Sequence, residues 1–166
     1  MVAMFASFLV ALAVIAQTAT LTFTKPSAWT DRAAASSMRV AEFAVPRASG
    51  DAEDGELIVY YFGGGGGSVE ANLQRWTSQF ESIRDPARTM MTVNGLKLTS
   101  LDVSGTYVAE MRPGSSERYN KPGFRMRATV VETPKGPYFI KLTGPAKTIE
   151  SAGAAFDQFL HSLAFN

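Results

Sequence analysis

Apolar residues recur along this chain with two periods, and the change from one to the other marks its elements. Leu57 to Phe62 (LIVYYF) is an almost unbroken apolar run of β-branched and aromatic residues, which predicts a central strand covered on both faces. Five glycines follow, and then Val69, Leu73, Trp76, Phe80 and Ile83 fall at steps of four, three, four and three. That spacing predicts one core-facing helical stripe with Ser68 as N-cap, Glu70 in the first turn, and Asp85-Pro86 as the stop. A second stripe of Ala152, Ala155, Phe156, Phe159, Leu160 and Leu163 predicts a helix after Gly144-Pro145.

The remaining apolar segments read as strands. Leu21 to Phe23 is short and ends at Lys25-Pro26, which leads to Trp29 in a polar loop; Met38 to Val45 ends at Pro46. Met90 to Val103 folds back on itself at Asn94-Gly95, a pair suited to the positive φ angles of a two-residue hairpin turn. Gly105-Thr106-Tyr107 continues that strand, and Arg112 to Gly123 is a polar loop. Phe124 to Glu132 and Tyr138 to Thr143 form a last hairpin. With Val130 set opposite Ile140, Phe124, Met126, Ala128, Val130, Tyr138, Ile140 and Leu142 share one face, and Arg125, Arg127, Thr129, Val131, Phe139 and Lys141 share the other. The expected fold is α+β, an antiparallel β-sheet of six or seven strands covered by two helices, formed as a single domain by residues 20–166.

The segment before it is of another kind. Met1 to Ala16 is uncharged and apolar apart from Ser7, too short for a spanning helix, and closed by Gln17 and Thr18. It is expected to be a signal peptide cleaved near Ala16 or Ala19, although no Lys or Arg precedes Lys25 to form a basic n-region; an uncleaved anchor is the alternative. The mature domain is therefore expected in the periplasm or outside the cell, with no membrane contact after cleavage.

Composition narrows the chemistry. Sixteen Lys and Arg against fifteen Asp and Glu give a net charge of +1, which supplies no field for steering nucleic acid, so none is expected as a partner. The absence of cysteine excludes disulfides and thiol chemistry, and a single histidine, His161, leaves no His-rich metal site. No metal, cofactor or catalytic residue is expected. The acids from Asp51 to Glu56 read as a solvated loop, with calcium binding a minor alternative because their spacing is not that of a calcium loop.

The glycine run Gly63 to Gly67 invites comparison with phosphate loops. No lysine follows it before Lys97, Ser68 stands where a dinucleotide fingerprint has its third glycine, and the next elements are hairpins rather than a parallel strand. Gly65, Gly66, Gly67 and Ser68, with the free N–H groups of the helix start, still form a candidate anion site, the alternative being a flexible connection. Two further candidates are the polar helix face of Asn72, Arg75 and Gln79, and the basic set Arg125, Arg127 and Lys141 with Arg39. Each has a plainer reading, as the wet face of a helix and as a solvated sheet face balanced by Glu42 and Glu132.

Pro26-Ser27-Ala28-Trp29, Met38 to Phe43, Phe62 to Gly65, Ser68-Val69, Asn72, Arg75-Trp76, Gln79-Phe80, Gly105-Thr106-Tyr107, Glu132-Thr133-Pro134 and Tyr138 to Pro145 occur in that order. The series resembles a group of uncharacterised exported bacterial proteins, similar at fold level to the PsbP-like α/β/α sandwich of an extrinsic photosystem II subunit and a nuclear-import factor. The resemblance implies a helix-covered antiparallel sheet and carries over no catalytic residue. The expected function is that of an extracytoplasmic binding or interaction domain for an unknown protein or small anionic ligand of the cell envelope. A small exported hydrolase or transferase is the alternative.

Overall fold

In a computed structural model that describes residues 19–166, the domain is built on one long sheet. The expected leader, Met1 to Ala16, lies outside the described residues. In chain order the elements are β1 (Leu21–Thr22), β2 (Thr30–Asp31), β3 (Arg39–Val45), β4 (Gly55–Tyr61), α1 (Val69–Thr77), β5 (Phe80–Val93), β6 (Leu96–Tyr107), β7 (Lys121–Glu132), β8 (Tyr138–Pro145), α2 (Ala146–Ser151), α3 (Gly153–His161) and β9 (Ala164–Phe165). Seven strands pair antiparallel in the order β2-β3-β4-β8-β7-β6-β5, and β1 pairs with β9 so that the two ends of the domain are tied together. The fold is α+β, as the apolar pattern predicts.

The sheet has a core on each face. On one, α2 and α3 bury Ile149, Phe156, Phe159 and Leu160 against Leu57, Val59, Leu98, Val131, Ile140 and Leu142. On the other, α1 lays Leu73 and Trp76 over Leu101, Val103, Met126, Ala128, Val130 and Phe139. β4 contributes to both, which is why its sequence is apolar without alternation. The link from β4 to β5 runs from the sheet interior to the far edge, so α1 crosses β7 and β6 on the way and leaves the β3-β4 end of that face without a helix.

The structure corrects four expectations about the fold itself. The first helix ends at Thr77 instead of continuing through Ile83. Thr77 and Ser78 turn their hydroxyls onto the carbonyls of Leu73 and Arg75, a local competition that favours termination. Phe80 starts β5 yet stays buried beside Trp76, so the helical spacing seemed to run on, while Ile83 is exposed on a strand kinked by positive φ at Ser82 and Asp85. The C-terminal helix is two helices broken at Ala152, which brings the number among the described residues to three. Trp29 sits in a loop, but its ring is buried between Phe43 and Phe159.

The fourth correction has the largest consequence. In the β7-β8 hairpin Val130 lies opposite Phe139, and Thr129 opposite Ile140, one residue from the expected register. Both faces of β8 are covered, so apolar alternation alone does not select between the two registers. In the observed one Phe139 turns toward Trp76 on the α1 face, with ring centroids 6.4 Å apart. Lys141 turns with it, away from Arg125 and Arg127.

Candidate functional site

The glycine loop is rigidly specified by its own conformation. Gly63, Gly64, Gly66 and Gly67 all have positive φ, between 67° and 109°, a region that side chains other than glycine rarely occupy. At Gly66 a Cβ would lie 2.5 Å from the Phe139 ring, so the backbone is pressed against the core. Asn72, fully buried, donates from Nδ2 to the carbonyls of Gly66 (2.9 Å) and Ser68 (2.8 Å), clamping the loop to the first turn of α1. Ser68 accepts from the Ala71 N–H at 3.2 Å as an N-cap. The loop thus has an evident structural role, and Asn72 faces the interior, contrary to its expected place on a wet helix face.

At the other end of α1 the uncovered part of the sheet forms a cleft of about 1060 Å³. Its floor is the α1-side face of β4 and β8, carrying Glu56, Ile58, Tyr60 and Lys141; its walls are the C-terminal end of α1, with Arg75 and Gln79, and the segment around Tyr107, Arg118 and Tyr119. A recess of about 170 Å³ opens beside it and shares Tyr60, Arg75, Gln79 and Lys141. Gly65, Gly66, Gly67 and Ser68 line neither space.

Seven Arg or Lys residues and four Asp or Glu residues line the cleft, so it is positive in a chain that is nearly neutral overall. Three of the seven cations are ion-paired, and two more, Arg47 and Arg118, donate to the backbone carbonyls of Ala52 and Val108. Arg39 donates to Glu42 at 2.8 Å, Lys121 pairs with Glu53, and Arg32 lies 3.6 Å from Glu56. Arg75 and Lys141 are different. Arg75 donates to the Asn72 side-chain oxygen, and Lys141 Nζ donates to Gln79 Oε1 at 2.9 Å, so each cation is held by a neutral amide. Neither forms an ion pair among the described residues.

The electrostatics follow from this placement. Burial, reinforced by the Arg75 and Arg39 charges and opposed by Glu56, brings the Lys141 ammonium down to about 8. Glu56 is raised above the ordinary carboxylate range by burial and by the neighbouring Glu42 charge. Burial also works against Glu42, but its hydrogen bond and charge contact with Arg39 hold it below that range. Burial pushes the hydroxyls of Tyr60 and Tyr107 up, which keeps both as neutral donors. Arg75 and Lys141 thus present to the cleft the donor types that carboxylates and phosphates accept from.

Arg125 and Arg127 lie on the opposite face of the sheet. Arg125 makes a two-pronged contact with Asp102 (2.8 and 2.7 Å), and Arg127 pairs with Asp157 at 2.7 Å over the Phe156 ring. The expected basic patch is therefore divided, with its arginines already neutralised. Sequence reasoning selected Arg75 and Lys141 but missed Glu56, Tyr60 and Tyr107. The available signal was Lys141 itself, one charge between Ile140 and Leu142 in a strand with two buried faces, and the alternation of Glu56, Ile58 and Tyr60 on the neighbouring strand.

No protein-family model matches the chain, and no curated protein matches its sequence. Among solved structures it is similar to PA94 of Pseudomonas aeruginosa, a protein of unknown function, at 15% identity with a TM-score of 0.55, covering 87% of this chain and 96% of that one. It is also aligned with the solution structure of cyanobacterial PsbP from Synechocystis at 12% identity and a TM-score of 0.49, covering 94% and 98% of the two chains. At this identity the first likeness shows a shared fold alone.

Proposed function

We propose that this protein is a binding domain without catalytic machinery, holding a small anion bearing a carboxylate or phosphate in the cleft at the C-terminal end of α1. The observation that carries this reading is the pairing of Arg75 and Lys141 on that cleft with neutral amides as their only side-chain partners among the described residues. Arg75 supplies a planar fork of donors and Lys141 a point charge at the floor, while Tyr60 adds a hydroxyl. The cleft is large enough for a ligand of metabolite or headgroup size. The helix start at Ser68 is a weaker candidate, because its cap and loop are engaged with each other.

The reading includes work outside the cytoplasm, as in the exported bacterial group that the sequence resembles, and rests there on the apolar leader Met1 to Ala16. Intact mass of the secreted chain tests this: loss of that leader supports export, and its retention contradicts cleavage. The binding claim is tested by calorimetric titration of residues 20–166 with phosphate, succinate and a sugar phosphate. We expect saturable binding to at least one, weakened about tenfold or more in Lys141→Met and in Arg75→Ala. Binding by none, or binding undiminished in both variants, refutes the reading.

A further inference from the structure

We propose that Lys141 captures its ligand covalently, as a reversible imine, so that the ligand class is an aldehyde or ketone that also bears a carboxylate or phosphate. This rests on the cleft being an anion site and adds the chemistry of the bound molecule. Lys141 is half-buried on the floor and open to the cleft, and its only side-chain hydrogen bond among the described residues is to the Gln79 amide. The other lysines are held differently: Lys25, Lys97 and Lys121 pair with Asp31, Glu132 and Glu53, Lys147 donates to the Ser49 carbonyl, and Lys135 lies in an exposed turn. An amine among desolvating walls and neighbouring cations, with no carboxylate in ion-pair contact among the described residues, is the kind that becomes nucleophilic.

The groups facing Lys141 are Arg75 from α1, Arg39 and Glu42 from β3, and Glu56 and Tyr60 from β4; its neighbour on β7 is the uncharged Ala128. With the ammonium brought to about 8, roughly a quarter of the molecules carry the free amine near pH 7.5, against about one in a thousand for an ordinary lysine. The nitrogen lone pair attacks the carbonyl carbon, the C=O π pair moves to oxygen, and transfer of one proton from nitrogen to oxygen gives the carbinolamine. A proton taken up from solvent then lets the hydroxyl leave as water. The nitrogen then releases its remaining proton to solvent. The sum is amine plus carbonyl giving imine plus water, with no redox change. Arg75 holds the ligand's anionic group during the exchange.

The test uses glyoxylate, an anionic aldehyde, and acetaldehyde, a neutral one, each with cyanoborohydride to fix any imine, followed by peptide mapping of all six lysines. With glyoxylate near pH 7.5, Lys141 should be labelled at least about tenfold faster than any other lysine. Oxalate should slow that labelling, and the advantage over acetaldehyde should disappear in Arg75→Ala. Labelling of Lys141 no faster than the other lysines overturns the proposal; if oxalate still raises the Tm of the wild-type protein in that case, the anion site stands without the covalent step. Selective labelling at equal rates by both aldehydes, with no protection by oxalate, overturns the anion reading and this proposal with it.

Discussion

Lys141 and Gln79 meet across the gap between β8 and α1, the ammonium donating to the amide oxygen at 2.9 Å. A neutral acceptor satisfies one of the three N–H donors of the ammonium and none of its charge. The charge is thus maintained at a cost to the fold.

Replacing Lys141 with Met should therefore stabilise the free protein at neutral pH, by about 1–2 kcal/mol or a few degrees in Tm, while removing anion binding. The pH dependence has a definite sign. The folded-state value, about 8, lies below the ordinary lysine value, so between the two the unfolded chain binds the extra proton and wild-type stability rises with pH. The advantage of Lys141→Met should be full below pH 8 and shrink above it as the wild-type lysine loses its proton. Thermal melts of both proteins across that range check this.

The five glycines should not behave alike. Gly66→Ala places a Cβ 2.5 Å from the Phe139 ring at a φ of 109°, and should cost roughly 2–4 kcal/mol. Gly65 lacks a positive φ in the left-handed region, and a Cβ there meets nothing nearer than 3.5 Å, so Gly65→Ala should change stability by less than about 1 kcal/mol. Urea titrations of the two variants distinguish a specified loop from a flexible tether, for which the two losses would be similar.

Asn72 joins the loop to the cleft, since the side chain that donates to the Gly66 and Ser68 carbonyls also accepts from Arg75. Asn72→Ala should destabilise by about 2–3 kcal/mol and also weaken anion binding, through an Arg75 that is no longer oriented. A stability loss with unchanged affinity would separate the two roles.

Arg125 should matter for stability alone. Its paired hydrogen bonds to Asp102 are partly buried, so Arg125→Gln should cost about 1 kcal/mol and leave anion affinity unchanged. Calorimetry on this variant also tests the hairpin register, because a one-residue slip would return Arg125 to the face of Lys141.

What the sequence discloses depends on how many interactions agree at each position. Asn94-Gly95 is legible because a two-residue turn needs positive φ and both residues tolerate it; the turn forms there, with φ of 47° and 79°. Leu57 to Tyr61 is legible because only a central strand buries so many apolar residues in succession. The β7-β8 register is not, since Val130 finds an apolar partner in either Phe139 or Ile140, and a sheet covered on both faces accepts both pairings. That ambiguity concealed half the site: Lys141 is assigned to the arginine face until the register is known. The end of α1 was concealed by Phe80, which keeps the helical spacing while belonging to a strand. Arg75 was visible as a polar helix residue, but its relation to Lys141 arises only when α1 crosses the sheet.

The most direct test of the central claim is an amide and side-chain NMR titration of residues 20–166 with phosphate, or with whichever anion binds best. Shifts concentrated at Tyr60, Arg75, Gln79 and Lys141 are the expected result. Shifts centred instead on Gly65 to Ala71, or on Arg125 and Arg127, would contradict it.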